Sequence, residues 1–443
     1  MRVTTVARAI FVAITISPAT VFAITDDDVN QVLEFNFTNP GARSLSLGGA
    51  FTGLADDATA AYANPAGLTI LETQEFSFEA RYTSNERTYA SGGVVLNTIP
   101  QTRTALDTSS LEFASDTSDN TALSFASYVI PTEQATYAFY YHRLGDFEAR
   151  IDAAEIFFQN SATASGSEPN QTQRIFAKNG NLAYQVENFG ASAAFKITED
   201  ISIGASWIYS DFSISSSNLR DGANGATSRQ LQMGEDSTFT YSLGALWRIN
   251  STWNLGIAYR HGGSFEYSAT NTVLTLPGGA TPPQSRILEA SFKVPDILSA
   301  GLAYRPNDTW LVTLDANKVG YSRTSRGIES TLNVVPSKLG MRDIIEYRLG
   351  VEYAVPGSTG IYVRGGAWLD RDHRLSFNGQ TPTNCTVPTS FLDCRTAAIF
   401  PSGDDEVHYS FGLGWRLGSV QLNMAADFSD FIDTYSISGI VPF

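Results

Sequence analysis

The sequence lacks any apolar stretch of the ~20 residues that a membrane-spanning helix requires. Its longest largely apolar run, Ala9 to Ile16, lies near the start, and charged residues interrupt every region downstream. This distribution excludes a helical-bundle membrane protein. Any membrane residence must therefore come through β-strands.

Basic residues are scarce: 29 Lys and Arg stand against 45 Asp and Glu, which gives a net charge of −16. Nucleic-acid phosphates demand a basic face, so we exclude nucleic acid as a partner. Only four histidines are present, His142, His261, His373 and His408. None lies in a GxSxG, HExxH or metal-ligand pattern. We therefore expect a transporter rather than an enzyme, with no cofactor and no metal, although a Ser–His pair across strands stays open.

Only two cysteines occur, Cys385 and Cys394, and both lie in the polar stretch NCTVPTSFLDC. In an exported protein, two nearby cysteines are most simply explained by a structural disulfide within a loop. Export itself is indicated by residues 1–23, which carry Arg2 and Arg8, an apolar run and small residues before a cleavage site. We interpret residues 1–23 as a cleaved signal peptide, because Pro18 and the short run disfavour a membrane anchor.

From residue 73 onward the sequence repeats segments of apolar and polar residues in alternation, which successive side chains of a strand place on opposite faces. Val407 to Leu417 shows this most clearly. Candidate strands lie near 74–84, 120–130, 135–146, 184–197, 201–214, 236–249, 253–268, 287–305, 309–323, 343–354, 360–371, 405–417, 420–428 and 433–443. The count of about fourteen is even, as in most single-chain bacterial barrels. The sequence thus predicts an all-β fold, a transmembrane antiparallel up-and-down β-barrel over residues 73–443.

Short connections alternate with long ones, and aromatic residues such as Trp247, Tyr304 and Trp415 lie just before short ones. A soluble sandwich or propeller does not predict this pattern, whereas an aromatic girdle at a membrane interface does. We place the short connections on the periplasmic side. The residues next to these aromatics, Arg248, Arg305 and Arg416, are then expected in the lumen near the periplasmic mouth.

The stretch Gly41 to Leu68, GARSLSLGGAFTGLADDATAAYANPAGL, precedes the strands. Asp56 and Asp57 favour a helix start, and Pro65 with Gly67 favours its end. A Ca²⁺ loop is a poor alternative, because alternate-position oxygen ligands are missing. The closing Asn64-Pro65-Ala66 resembles the N-terminal motif of the FadL/TodX family of outer-membrane transporters for long-chain fatty acids and other hydrophobic compounds. Phe292 to Ser322, FKVPDILSAGLAYRPNDTWLVTLDANKVGYS, is similar to a second family segment.

The resemblance implies a bacterial outer-membrane protein in which residues 24–72 form a hatch that plugs the barrel, with Asn64, Pro65, Ala66 and Gly67 as the gating candidate. It implies passive, ligand-gated uptake: capture at extracellular loops, hatch rearrangement and lateral release. Its expected partners are hydrophobic small molecules, outer-membrane lipid and lipopolysaccharide, and the outer-membrane assembly machinery, which the terminal Phe443 would address. The family default is a monomer. Some relatives serve as secretion-system accessory barrels, so an accessory or structural role is the alternative, and a general porin is a third.

Three further groups of residues are candidates within this scheme. Ligand capture is assigned to apolar residues of two predicted loops, with plain loop packing equally open: Ile156, Phe157, Phe158, Leu274 and Leu276. Gly145 is a candidate strand kink for lateral exit. Lumen charges should be neutralised mostly in ion pairs, with one or two arginines left for a carboxylate headgroup: Arg248, Arg305, Arg348, Arg364 and Arg416.

Overall fold

The computed structural model describes residues 37–98, 106–159, 173–175, 177–221, 227–275, 284–324, 338–358, 360–379 and 388–443. The expected signal peptide lies outside these residues. The strands within them are β1 Glu75–Leu96, β2 Asp107–Pro131, β3 Thr136–Ala153, β4 Ile156–Gln159, β5 Gln173–Ile175, β6 Lys178–Lys196, β7 Ile201–Asp221, β8 Thr227–Arg248, β9 Trp253–Arg260, β10 Ser264–Thr275, β11 Gln284–Lys293, β12 Ile297–Tyr304, β13 Trp310–Val319, β14 Leu339–Gly340, β15 Ile344–Ala354, β16 Ile361–Asp370, β17 Ser376–Phe377, β18 Glu406–Leu417, β19 Val420–Phe428 and β20 Ile432–Pro442.

The wall is a closed antiparallel barrel of fourteen strand positions, as predicted. Its order is β1, β2, β3, β6, β7, β8, β9 with β10, β11 with β12, β13, β15, β16, β18, β19 and β20. β20 pairs back onto β1, with Glu75 opposite Pro442, so the sheet has no free edge. The small β4–β5 hairpin adds to β1, and β14 pairs with β17.

One end of the barrel, here called the short-turn end, carries six short connections: those between β2 and β3, β6 and β7, β8 and β9, β12 and β13, β15 and β16, and β18 and β19. The three-residue connection 429–431 lies at the other end. The opposite end is the long-loop end. The outer face carries large exposed apolar side chains between two belts of aromatic residues. The belt at the short-turn end includes Tyr137, Phe195, Trp247, Trp253, Trp310 and Phe443, and the other includes Phe189, Trp207, Tyr209, Phe239, Tyr241, Tyr347, Tyr409 and Tyr435. Such belts mark the two water interfaces of a membrane barrel.

Two predicted strands, 253–268 and 287–305, are each broken in the structure. The breaks fall at residues 261–263, between β9 and β10, and at 294–296, between β11 and β12. Gly262 and Gly263 leave the first segment without strand-favouring side chains, and Pro295 in the second has no N–H for the ladder. Both breaks lie at the same height and stay joined, since Val294 N donates to Gly263 O.

β1 and β2 are much longer than the predicted 74–84 and 120–130. Their distal halves are rich in polar residues and carry no regular alternation of hydrophobicity, although Tyr89, Val95 and Leu111 are buried there. Three helices occur in the described residues: α1 Ala42–Ser46, α2 Ala60–Ala63 and α3 Pro388–Ile399, with 3₁₀ turns at Pro65–Ile70 and Tyr321–Arg323. Helix α3, in the long connection before β18, was not predicted. None of the helices described here is long and apolar enough to cross a bilayer.

Candidate functional site

Residues 37–72, here called the hatch, fill the lumen toward the short-turn end. α1, α2 and the 3₁₀ turn Pro65–Ile70 are almost entirely buried. α1 packs against β16, β18, β19 and β20, whereas the 3₁₀ turn packs against β6, β7 and β8. The hatch therefore reaches walls on opposite sides and obstructs the barrel.

Seven wall glycines form the seat of the hatch. An added β-carbon at any of them would collide with a hatch atom or with a side chain that binds the hatch. At Gly350, for example, it would lie 2.6 Å from Leu47 O, and at Gly301 2.7 Å from Gly53 N. The seat consists of Gly204, Gly244, Gly256, Gly301, Gly350, Gly366 and Gly412. Since only glycine permits such close backbone approach, this ring fixes where the hatch can sit.

Buried wall carboxylates bind backbone N–H groups of the hatch. Asp315 accepts from Phe51 N at 2.9 Å and Thr52 N at 2.8 Å, and Glu79 accepts from Gly41 N at 2.9 Å. Hydrogen bonds to charged acceptors are stronger than neutral ones. The irregular hatch backbone, which lacks strand partners, thus obtains them from the wall.

A buried ion-pair network centres on Arg43 of α1. Its guanidinium lies 2.5 Å from Asp56 Oδ1 in the hatch and 3.0 Å from Glu352 Oε2 on β15. Glu352 also contacts Arg364 Nε at 2.7 Å. Burial raises the pKa of Asp57, and the Arg43 charge opposes that shift. The charges tie the hatch to the wall while neutralising one another.

Asn64 has every side-chain group in use. Its amide donates to Thr52 O at 2.9 Å and to Ala245 O at 3.2 Å, and its oxygen accepts from Ala66 N at 3.2 Å. It therefore clamps two hatch segments and β8 together. The gating candidate Asn64–Gly67 thus lies where hatch and wall meet, and its gating role stays a prediction.

The long-loop half of the lumen has a different character, and we call its apolar cluster the chamber. Phe212 stacks between Phe265, at 4.9 Å, and Phe292, at 5.0 Å, and Tyr184 lies 5.9 Å from Phe292. These rings belong to a large buried cluster from β1, β3, β6, β7, β10, β11 and the distal connections. Inward side chains here are mostly apolar, with buried polar groups such as Asn218 and Gln232 among them, whereas serine, threonine and charged side chains are frequent around the hatch.

A cavity of about 110 Å³ lies between the chamber and the wall of β1, β2 and β3. Phe147 and Tyr184 contribute its apolar side, and Arg81, Arg87 and Arg143 its basic side. Asp146 is the single acid among its lining residues. Gly145 also lines it, and the β3–β6 register shifts between Arg143 and Gly145. The predicted kink position thus coincides with a β-bulge beside a cavity.

The residues predicted to capture ligand differ in their burial. Ile156 and Phe158 are buried in the chamber cluster, contrary to the expected exposed capture surface, because the β4–β5 hairpin folds inward against β1. Phe157 is half-buried. The Leu274 side chain and Leu276 lie outside the described residues.

The predicted lumen arginines also occupy different environments. Arg348 and Arg364 are buried and paired with Glu346 and Glu352. Arg305 contacts Asp56 at 3.2 Å, and Arg416 lines a cavity of about 290 Å³ at the short-turn mouth. Arg248 instead bonds Glu199 O in the neighbouring turn. Cys394 is buried in α3 and disulfide-bonded, and Cys385 lies outside the described residues.

The one Ser–His–Asp grouping described does not form a nucleophile and base pair. His408 Nδ1 lies 2.7 Å from Asp427 Oδ2, and Ser410 Oγ donates to the other oxygen of Asp427. Ser410 therefore shares the carboxylate with His408 and makes no bond to it. Among the described side chains, no group of His, Cys, Asp and Glu has metal-binding geometry.

Sequence reasoning did not identify the glycine seat, Asp315 or Arg43 as hatch contacts. A signal for the seat exists: six of its seven glycines are followed three residues later by Trp or Tyr, as in Gly204–Trp207 and Gly256–Tyr259. Three positions along a strand place the two residues on opposite faces, so the repeat marks a lumen glycine and a lipid-facing aromatic. Arg43 and Asp315 have no comparable pattern.

A closed, lipid-facing barrel with an internal hatch defines a plugged transmembrane β-barrel. Residues 28–371 match the family of outer membrane transport proteins described as OMPP1/FadL/TodX. The chain belongs to this family and is a protein of the bacterial outer membrane. No curated protein sequence matches it.

Solved structures share the fold at low sequence identity. A Pseudomonas aeruginosa FadL homologue is 14% identical, with a TM-score of 0.64 over 93% of this chain and 99% of its own. The P. putida toluene transporter TodX is 15% identical, with a TM-score of 0.59 over 92% and 99%. The Ralstonia pickettii toluene transporter TbuX is 13% identical, with a TM-score of 0.55 over 92% and 99%.

Proposed function

We propose that this protein is a passive outer-membrane channel for hydrophobic compounds, with long-chain fatty acids or similar anionic amphiphiles as its ligands. The ligand enters at the long-loop end, facing the cell exterior, occupies the chamber, and leaves after rearrangement of the hatch or through the wall. This proposal rests mainly on the aromatic chamber beside a cavity that the buried Arg87 lines.

The chamber supports a hydrophobic ligand on physical grounds. A poorly soluble compound gains about 25 cal/mol for each Å² of apolar surface that it removes from water. The stacked rings of Phe212, Phe265 and Phe292 offer such a surface. The cavity of about 110 Å³ accommodates a headgroup and a few methylenes. A longer chain must displace aromatic side chains, so occupancy is coupled to movement of the chamber.

The basic side of the cavity favours an anionic headgroup. Arg87 is buried, with its guanidinium carbon 3.9 Å from the centroid of the Phe147 ring. Guanidinium groups bind carboxylates through paired hydrogen bonds. Two similar structures are titled toluene transporters. Arg81 is paired with Glu79, and Arg143 with Asp146 and Glu187. A neutral aromatic compound uses only the apolar side of the cavity, so Arg87 favours fatty acids over hydrocarbons.

The same cavity touches the hatch, which supports ligand gating. Phe37 and Thr38 line it, and Arg81 donates to Thr38 Oγ1 at 2.7 Å. Phe37 also packs on Tyr321 with ring centroids 6.0 Å apart. A ligand that enters the cavity therefore competes for contacts that hold the first described residues of the hatch.

The bulge at Gly145 supports lateral release. It interrupts regular pairing of β3 with β6 at the cavity wall, and bulges locally disrupt the ladder that closes a barrel. An apolar ligand that leaves the lumen at this bulge enters the membrane without crossing water.

Uptake into liposomes tests this proposal. We expect wild-type protein to carry palmitate and, less efficiently, hexadecane, and Arg87→Gln to lower palmitate uptake about tenfold while sparing hexadecane, because one charged hydrogen bond is lost. Arg150→Gln, at an exposed position of β3, is the matched control. An equal loss of palmitate and hexadecane uptake in the Arg87→Gln variant would show that Arg87 does not bind the carboxylate headgroup. No uptake of either, together with copurification of a translocon, would replace transport with an accessory role.

A further inference from the structure

A cluster of cations lies on the outer face where β9 ends and β12 begins. His261 Nδ1 lies 3.0 Å and Lys293 Nζ 3.5 Å from Asp296 Oδ1. Arg323 Nη1 lies 2.5 Å from Asp296 Oδ2. Three cationic or protonatable groups thus share one carboxylate, which holds their charges together.

Lys318 of β13 extends this cluster. Its strand neighbours are Leu298 of β12 and Ile345 of β15, whose side chains are exposed on the lipid-facing surface. Lys318 is exposed and makes no ion pair with any described residue. We call Lys293, Lys318, Arg323, His261 and Asp296 the cationic patch.

Asp296 is a stable component of the patch. Its carboxylate accepts from Gly262 N at 3.0 Å and contacts His261, Lys293 and Arg323. Asp343 accepts from Ser322 N at 2.9 Å, and Glu266 and Glu289 are exposed farther along β10 and β11 toward the long-loop end. Within the patch itself, Lys293, Lys318 and Arg323 outnumber Asp296.

The patch lies at the height of the aromatic belt of the long-loop end. The His261 ring stacks on Tyr241 with centroids 5.2 Å apart and an interplanar angle of 23°. Aromatic belts lie at the headgroup level of a membrane. Long lysine side chains at this level place their apolar stems against lipid and their charges among headgroups.

The neighbouring sector, on β6, β7 and β8 between β3 and the patch, has the reverse charge at the same height. Glu187 of β6 and Asp211 of β7 are direct strand neighbours on the outer face, and Glu235 lies on the next strand, β8. Arg143 is paired with Glu187 at 3.0 Å there. In a chain of net charge −16, a local excess of cations on one lipid-facing sector requires an explanation.

We propose that the cationic patch binds the phosphate groups of lipopolysaccharide in the outer leaflet. Arginine and lysine form charge-assisted hydrogen bonds with phosphate, and each cation near a negatively charged membrane surface adds to the attraction. The acidic sector repels the same phosphates. Lipopolysaccharide is thereby held on the side of the barrel away from Gly145. This inference rests on the proposed orientation, with the long-loop end outside.

The test measures lipopolysaccharide bound per protein, by native mass spectrometry after addition of purified hexa-acylated lipopolysaccharide. For Lys318→Gln with Arg323→Gln, we expect binding to fall about tenfold or more. Lys196→Gln with Arg248→Gln removes two cations at the short-turn end and should leave binding unchanged. Lys318→Arg keeps the charge and should retain binding. Heat-modifiable migration in gels confirms that each barrel is folded.

Three outcomes would overturn the assignment: equal binding by the patch variant and wild type, equal binding of dephosphorylated lipopolysaccharide, or displacement of lipopolysaccharide by millimolar inorganic phosphate. Palmitate uptake by the patch variant into liposomes without lipopolysaccharide should match wild type. A loss there with retained lipopolysaccharide binding would count against the transport proposal and leave the patch intact.

Discussion

In the short-turn half of the lumen, hatch and wall meet through close backbone contacts and paired charges, whereas in the long-loop half the same strands present stacked aromatic rings. Gly256 on β9 receives Thr52 of the hatch, while Phe265, just beyond the break in that strand, faces the chamber. The same strands therefore surround two different regions. In the short-turn half of the lumen they hold the hatch that obstructs the barrel, and in the long-loop half they offer a surface on which apolar compounds gain free energy.

Gly365 and Gly366, neighbouring glycines of β16, test most directly how the wall holds the hatch. An alanine methyl at Gly366 would collide with Gly48 N and lie 2.9 Å from Gly48 Cα, whereas at Gly365 its nearest contact is 3.9 Å away. Overpacking costs about 1–3 kcal/mol. We expect Gly366→Ala to raise sugar flux through liposomes about tenfold and Gly365→Ala to leave it at the wild-type level. Equal flux in both variants would show that the seat does not hold the hatch.

Substitutions at Phe212 test the chamber in the long-loop half of the lumen. Phe212→Asn places an amide without a partner among Phe265 and Phe292, at a cost of about 1–3 kcal/mol, whereas Phe212→Leu keeps the surface apolar. We expect the Asn variant to lose palmitate uptake about tenfold with unchanged sugar flux, and the Leu variant to lose less than half. Loss of uptake in both would indicate a requirement for the ring itself.

The clamp at Asn64 should affect closure with little effect on assembly. Asn64→Ala with Pro65→Ala removes three hydrogen bonds, each contributing about 1 kcal/mol, while the other wall contacts persist. We expect about fivefold higher sugar flux with normal heat-modifiable migration. Asn64→Asp keeps the acceptor for Ala66 N and loses both donated bonds, so it should give an intermediate flux. Misfolding of the double variant would contradict the gating assignment.

A smaller effect is expected at Glu352. Glu352→Gln removes the charge but keeps the shape and an oxygen that accepts from Arg43 and Arg364. Asp56 and Asp57 still neutralise Arg43, and Arg364 still donates to Asn423 Oδ1 at 2.9 Å. We therefore expect a loss of about 1 kcal/mol in hatch anchoring, well below the cost of a fully broken buried pair, and about a two- to threefold rise in sugar flux. Glu187→Gln alters an ion pair outside the lumen and should change nothing. Unchanged sugar flux in the Glu352→Gln variant would show that the ion pair of Arg43 with Glu352 does not anchor the hatch.

The wall was predictable because alternation along a strand records which face meets lipid. Val407 to Leu417 matches β18 within a residue. The strand breaks at Gly262 and Pro295 were not predicted, since the alternation of apolar residues continues on both sides of each. The hatch contacts depend on residues far apart in sequence: Arg43 meets Glu352 and Gly53 meets Gly301 only once the barrel has closed. No local pattern contains such pairings.

We propose that the long-loop half of the lumen admits hydrophobic ligands while the hatch in the short-turn half excludes water-soluble compounds. The most direct test compares the flux of palmitate with that of a sugar of similar mass through wild-type protein in the same liposomes. We predict palmitate entry above protein-free liposomes and sugar entry no faster than in them. Equal entry of both compounds would contradict the account and indicate an open porin.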